Sequence, residues 1–150
     1  MNDLTLVIPA KFESGPLPQV IRELQKYNCK ILVSLQEDDL ETINAIQQFN
    51  IQIHKQSGAG YGNSLIEGIQ NCNTKYFCIF NADGSFDNTD LSLMYKMIKQ
   101  NDFIFTSRYE KNAGSEDDTL VTFIGNKVFS LIGRILFSLK ISDILFTYIM

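Results

Sequence analysis

The sequence predicts an α/β fold, a mostly parallel central sheet flanked by helices. Three observations predict it. Short apolar runs rich in strand-forming residues alternate with stretches of helical period, the order that builds a parallel sheet. Runs such as "KILVSL" and "YFCIF" are apolar throughout, as strands covered on both faces are. Glycines and carboxylates collect just past these runs, at the carboxyl ends where open α/β sheets bind ligands.

The elements follow in order. "LTLVIPA" (4–10) reads as strand one, stopped by Pro9. Residues 17–27 form a helix, with Val20, Ile21, Leu24 and Tyr27 at helical spacing. "KILVSL" (30–35) is strand two, and 39–49 a helix with Leu40, Ile43, Ile46 and Phe49 on one side. "IQIH" (51–54) is a short third strand. After "SGAGYGNS" a helix runs to about Asn71, carrying Leu65, Ile66 and Ile69. "KYFCIF" (75–80) is strand four, "LSLMYKMIKQ" (91–100) the helix after it, and "DFIFTS" (102–107) a fifth strand. The polar loop "RYEKNAGSEDDT" leads to an amphipathic segment over 120–139. Its apolar surface beside Lys127, Arg134 and Lys140 suits either a membrane interface or packing onto the sheet.

A chain of 150 residues with 45 % apolar and 20 % charged content makes one ordinary globular domain. Its net charge of -4 argues against a nucleic-acid binder, which needs a basic stripe. The three cysteines, Cys29, Cys72 and Cys78, lack a metal-binding spacing and read as reduced thiols of a reducing compartment. The N-terminus enters a strand at once, without the basic and apolar regions of a secretory signal. No run supplies the ~20 apolar residues of a membrane span, because Lys127, Arg134, Lys140 and Asp143 interrupt 119–150. A cytoplasmic location follows as the expectation.

The strand ends carry the chemistry. Asp83 and Asp87 follow strand four, with Asn81 at its edge, and Gly84 lets the chain turn so that the acids face the cleft. Such a set suits Mg²⁺ or Mn²⁺, which keeps waters and completes its shell with substrate phosphates. Taken alone, the same residues also suit an Asp-Gly turn with solvated acids. Gly58, Gly60 and Gly62 leave bare backbone ahead of a helix N-terminus, a seat for phosphate oxygens. Arg108, after strand five, can fork onto a phosphate or a carboxylate. Pro9 and Ala10 close strand one, with Glu13 just beyond.

Taken together, "VIPAKFE", "GAGYGNSLIEGI", "NADGSFD", "TSRY" and "GNKVFSLIGRILFSLKISD" resemble, in order, the motifs of family 2 glycosyltransferases with the Rossmann-like GT-A fold. The branch most similar is that of dolichyl-phosphate mannose synthases and other polyprenyl-phosphate sugar transferases. The resemblance implies transfer of a sugar from a UDP- or GDP-linked donor to a polyprenyl phosphate or other acceptor, with inversion. It implies a nucleotide-sugar site of Pro9, Ala10, Glu13, Leu35, Gly60, Asn81, Ala82, Asp83 and Arg108. A Mg²⁺ or Mn²⁺ ion would sit at Asp83 with help from Asn81, placing Asp83 at the chemistry. Asp143 is the one candidate base, and the acceptor would be met at the cytoplasmic face of a membrane.

This sequence departs from the family pattern at definite places. Leu35 and Gln36 stand where an acidic pair follows strand two, with Asp38 and Asp39 the nearest acids. Asn81 replaces the first Asp of the metal motif, and Lys11 and Phe12 replace an aromatic and an Asn. The family continues past "ISD" with acceptor-side elements, so a domain lacking them is expected. These departures make a non-catalytic domain that binds nucleotide sugar or protein the alternative. A nucleotidyltransferase would want a glycine-rich basic loop after strand one. A dinucleotide site would want a third glycine where Asn63 stands, and a D-x-D-G-T phosphatase would want its nucleophile where Asn81 stands.

Overall fold

All six residues of β1 (Leu4–Pro9) are buried, which is why this strand takes the middle of the sheet. In this computed structural model, which describes residues 1–110 and 119–150, β1 pairs in parallel on both sides. On one side lies β2 (Lys30–Leu35), with Thr5 opposite Lys30 and Pro9 opposite Ser34. On the other lies β4 (Tyr76–Ile79), with Leu4 opposite Tyr76 and Val7 opposite Ile79. The short β3 (Gln52–Lys55) flanks β2 in parallel at the edge, giving the order β3-β2-β1-β4. The architecture is the helix-flanked α/β sheet that the apolar runs predict.

The helices lie near their expected places, with shorter ends. α1 (Leu17–Leu24) buries Leu17, Val20, Ile21 and Leu24, then tightens into a 3-10 turn over Gln25–Tyr27 and stops at Asn28, whose φ of 50° breaks the helix. α2 (Leu40–Ile46) starts one residue late because Asp39 is its cap: the carboxylate accepts the Thr42 backbone N–H at 3.2 Å. α3 (Tyr61–Gln70) lies close on β1, and a Cβ at Gly68 would fall 2.6 Å from Val7 Cγ1. α4 (Asp90–Met97) ends in a 3-10 turn over Ile98–Gln100.

The predicted fifth strand is the main difference. Residues 102–107 do not join β4. The segment 148–150 lies between them: Ile79 N–H donates to the Ile149 carbonyl at 2.9 Å, and Ile104 and Met150 exchange backbone bonds at 2.8 and 3.0 Å. Phe105 bridges Ile149 in antiparallel sense. Side-chain chemistry explains the preference. Tyr148 and Met150 are buried, Tyr148 stacks on Phe86 at 4.6 Å and meets Phe80 edge-on at 5.5 Å, whereas Phe103 and Phe105 stay exposed.

The loop expected to be polar falls largely on 111–118, outside the described residues, including the acids at 116–118. α5 (Leu120–Phe137) follows, capped by reciprocal Thr119 and Thr122 bonds. By length and composition it is long and apolar enough to cross a membrane, contrary to the sequence expectation. Within its 18 residues Lys127 and Arg134 are the only charges, too few to lower the average.

Candidate functional site

A cavity of about 550 Å³ opens at the carboxyl ends of the strands. The loop after β1 contributes Pro9, Ala10, Lys11 and Glu13, β2 and β3 are followed into it by Gln36 and Gln56, and β4 by Asn81, Ala82 and Asp83. Gly60, Tyr61 and Ser64 face it from the start of α3, and Thr147 closes one side. Seven residues singled out from sequence therefore share one cavity: Pro9, Ala10, Glu13, Gly60, Asn81, Ala82 and Asp83.

The other three lie elsewhere. Leu35 is wholly buried in the core, and its neighbour Gln36 reaches the cavity instead. Strand alternation puts successive side chains on opposite sides, so a one-residue error of position exchanges core for cavity. Arg108 and Asp143 do not line the cavity. Arg108 Nε donates to Asp143 Oδ2 at 2.8 Å and a terminal guanidinium nitrogen to Oδ1 at 3.0 Å, and the Arg108 backbone N–H adds a bond at 3.3 Å. Asp143 is fully enclosed, and the guanidinium also lies 5.1 Å from the Phe146 ring centroid.

The loop after β1 is shaped by α2. Phe12 takes a left-handed backbone, φ 58°, and its N–H donates to Asp39 Oδ2 at 2.7 Å. The Glu13 N–H donates to Thr42 Oγ1 at 3.0 Å. Asp39 is thereby spent on Phe12 and the α2 cap. Burial raises the Glu13 pKa, and the nearby Asp83 and Asp39 carboxylates raise it further.

Past β4, Gly84 turns at φ 80°, Asp83 Oδ1 accepts the Ser85 N–H at 2.9 Å, and Asn81 Nδ2 donates to Ser85 Oγ at 3.0 Å. Asp87 belongs to a different job: it accepts the Thr89 N–H and hydroxyl, both at 2.8 Å, and these bonds hold its pKa down. Among the described residues no three His, Cys, Asp or Glu side chains converge as a metal-binding group. The donor set on offer is the Asp83 carboxylate with the Asn81 amide. This fits a Mg²⁺-type ion, which takes one or two carboxylates and relies on water and substrate phosphate for the rest.

Glu67 is one residue that the sequence did not signal. From the second turn of α3 it reaches back to the glycine-rich loop, accepting the Ser57 N–H at 2.9 Å and hydroxyl at 2.6 Å, and the amide of Asn63. His54 Nε2 lies 2.7 Å from its other side. The Ser57 hydroxyl, then His54, then the Ser57 N–H hold the Glu67 pKa far below the carboxylate range. One carboxylate thus fixes the loop that places Gly60 and Tyr61, where Gly60, φ 102°, leaves bare backbone before the helix. Only its period, falling on the loop-facing side of a helix after glycines, could have signalled it. Thr147 was missed because it arrives from the far end of the chain, where its hydroxyl meets Tyr61 Oη at 3.3 Å.

A helix-flanked parallel sheet with a cavity at its carboxyl edge is a ligand-binding α/β domain. The model of glycosyl transferase family 2 matches residues 5–150, and the chain belongs to that family. No curated protein matches it. The family supports a glycosyltransferase that uses a nucleotide-sugar donor, and gives no support to a purely non-catalytic domain.

Proposed function

We propose that the cavity binds the nucleoside diphosphate of a UDP- or GDP-sugar and that the chain transfers the sugar to a polyprenyl phosphate. The observation that carries this reading is the meeting of Pro9, Glu13, Gly60 and Asp83 around one cavity at the strand ends. The β1 loop and Gln36 would hold base and ribose, and Tyr61 offers a ring for stacking. The bare backbone at Gly60 would face phosphate oxygens at the N-terminus of α3. Asp83, assisted by Asn81, would hold Mg²⁺ or Mn²⁺, which neutralises charge on the departing diphosphate.

In this reading the bond from the sugar to the diphosphate breaks as an acceptor oxygen attacks the opposite face, with inversion. A phosphate monoester is largely ionised at neutral pH, its second pKa being about 6. Such a nucleophile needs no strong base, which suits a site whose Asp143 is engaged by Arg108. Arg108 would then act by holding 108–110 against 143–146 beside the site. The free thiols Cys29, Cys72 and Cys78 support placement in the reducing cytoplasm.

Calorimetry with UDP, GDP and their sugars, with and without Mn²⁺, tests the reading. Micromolar binding that strengthens with Mn²⁺ and loses that gain in Asp83→Ala is expected. Absence of nucleotide binding, or metal-dependent binding unchanged in Asp83→Ala, would overturn it.

A further inference from the structure

A second cavity, of about 370 Å³, lies between the outer row at 105–110 and the chain that follows α5. Phe105, Ser107 and Glu110 line it from one side, Lys140, Ile141 and Ser142 from the other. It shares no residue with the cavity at the strand ends, yet the two are neighbours. The Thr106 N–H donates to the Tyr148 carbonyl at 3.3 Å, and Thr147, next along the chain, lines the first cavity. α5 holds the wall at 140–142 in place. Its polar half faces the domain: Asn126 Nδ2 donates to Tyr109 Oη at 2.7 Å, Ser130 Oγ accepts the Ile144 N–H at 3.2 Å, and Arg134 Nε donates to the Ile141 carbonyl at 3.1 Å.

The polar groups of this cavity are largely unspent. Ser107 Oγ accepts the Ser142 hydroxyl at 2.9 Å and the Tyr109 N–H at 3.2 Å. Both its lone pairs are thereby used and its own proton is left to donate, with no acceptor among the described residues. Lys140 and Glu110 are exposed and have no hydrogen-bond or ionic partner among the described residues. The Phe105 ring supplies an apolar wall, 44 % exposed and 6.1 Å from the ring of Phe103.

We propose that this cavity binds a neutral pyranose, a sugar ring other than the one the donor carries. Charge excludes the simplest rivals. Glu110 repels a phosphate and Lys140 repels a metal ion or an amine, so an ion of either sign gains little from the pair. What the cavity offers is donors and acceptors side by side: Lys140 and Ser107 donate, while Glu110 and the lone pairs of Ser142 accept. Sugar hydroxyls donate and accept at once, and their bonds to charged groups are the stronger kind. One face of a pyranose is a patch of slightly positive C–H groups, which settles on the negative face of an aromatic ring such as Phe105. A few convergent polar groups beside an apolar wall compose a small-molecule site. Occupied, the cavity would hold a saccharide one row of the sheet away from the strand-end cavity. The proposal needs no phosphate, no metal and no residue of that first cavity, so it is independent of the donor-site reading.

The probes are the methyl pyranosides of glucose, galactose, mannose and N-acetylglucosamine, titrated into the isotope-labelled full chain without nucleotide. Amide shifts at 105–107 and 140–142 from at least one of them, saturating in the millimolar range, are expected. Glu110→Ala and Lys140→Ala should each weaken that binding about tenfold, the loss of a hydrogen bond to a charged group. Phe105→Leu should weaken it about threefold. Both charged side chains are exposed, so an unchanged thermal melt identifies the loss as a loss of ligand contact. UDP binding, measured on the same samples, should be the same in Lys140→Ala as in the native chain. A chain that binds pyranoside but no nucleotide would refute the donor reading and uphold this one. No shift from any pyranoside, or shifts confined to the strand-end cavity at Lys11, Gly60 and Asn81, would overturn the proposal. Shifts at 105–107 and 140–142 from inorganic phosphate or glycine, but from no pyranoside, would overturn it too.

Discussion

Arg108 and Asp143, 35 residues apart, meet through a two-pronged ion pair with bonds of 2.8 and 3.0 Å. The pair joins the segment after residue 104 to the segment that enters the sheet at 148–150. Removing one partner leaves the other buried and uncompensated, which costs about 3–5 kcal/mol. Asp143→Ala should lower the unfolding free energy by that amount in urea titration. Arg108→Met together with Asp143→Leu should recover most of it.

Glu67 should make stability depend on acid. Its pKa is lower in the folded chain than in the unfolded one, so its contribution is complete above the ordinary carboxylate pKa and drains away as pH falls below it. Relative to Glu67→Gln, the native chain should lose unfolding free energy progressively below about pH 5. Equal slopes in the two proteins would show that the loop clasp contributes nothing. The same substitution should weaken nucleotide binding without removing its Mn²⁺ dependence.

Glu13 senses Asp83. Burial is the first cause of its raised pKa and the Asp83 carboxylate the second, so Asp83→Asn should bring the Glu13 pKa down without returning it to the usual value. Carboxyl-carbon NMR titration of the two proteins reads this directly. An unmoved Glu13 would show that the two acids do not share the cavity's field.

Two backbone positions have opposite expectations. Gly68→Ala puts a methyl 2.6 Å from Val7 Cγ1, and overpacking of that kind costs about 1–3 kcal/mol. Phe12→Asn should instead stabilise by about 0.5–1 kcal/mol, because Asn tolerates the left-handed backbone better and the Phe12 ring is 74 % exposed. Thermal melts of the single variants check both signs.

Much of the fold and of the cavity is legible in the sequence. The apolar runs of β1, β2 and β4 and the residues just past them located the cavity, because parallel sheets bury strands and expose their ends. Registers of one residue were less legible: Leu35 and Gln36 exchange roles on a single step along β2. The edge beyond β4 is less legible: "DFIFTS" has the composition of a strand, but the aromatic packing of Tyr148 against Phe80 and Phe86 brings 148–150 to that edge instead. Pairings such as Arg108 with Asp143 depend on which distant segments meet. Periodicity carries no information about that. The segregated halves of α5 were visible, but not which half faced the domain.

The wedge at 148–150 has a kinetic consequence. The Ile79–Ile149 and Ile104–Met150 bonds join residues far apart along the chain, so a large loop must close before either forms. Until then the outer rows of Ile79 and Ile104 stand as raw edges, each able to capture a strand from another molecule. Refolding at rising protein concentration should therefore divert into aggregates at this late step, while the β2-β1-β4 centre has already formed.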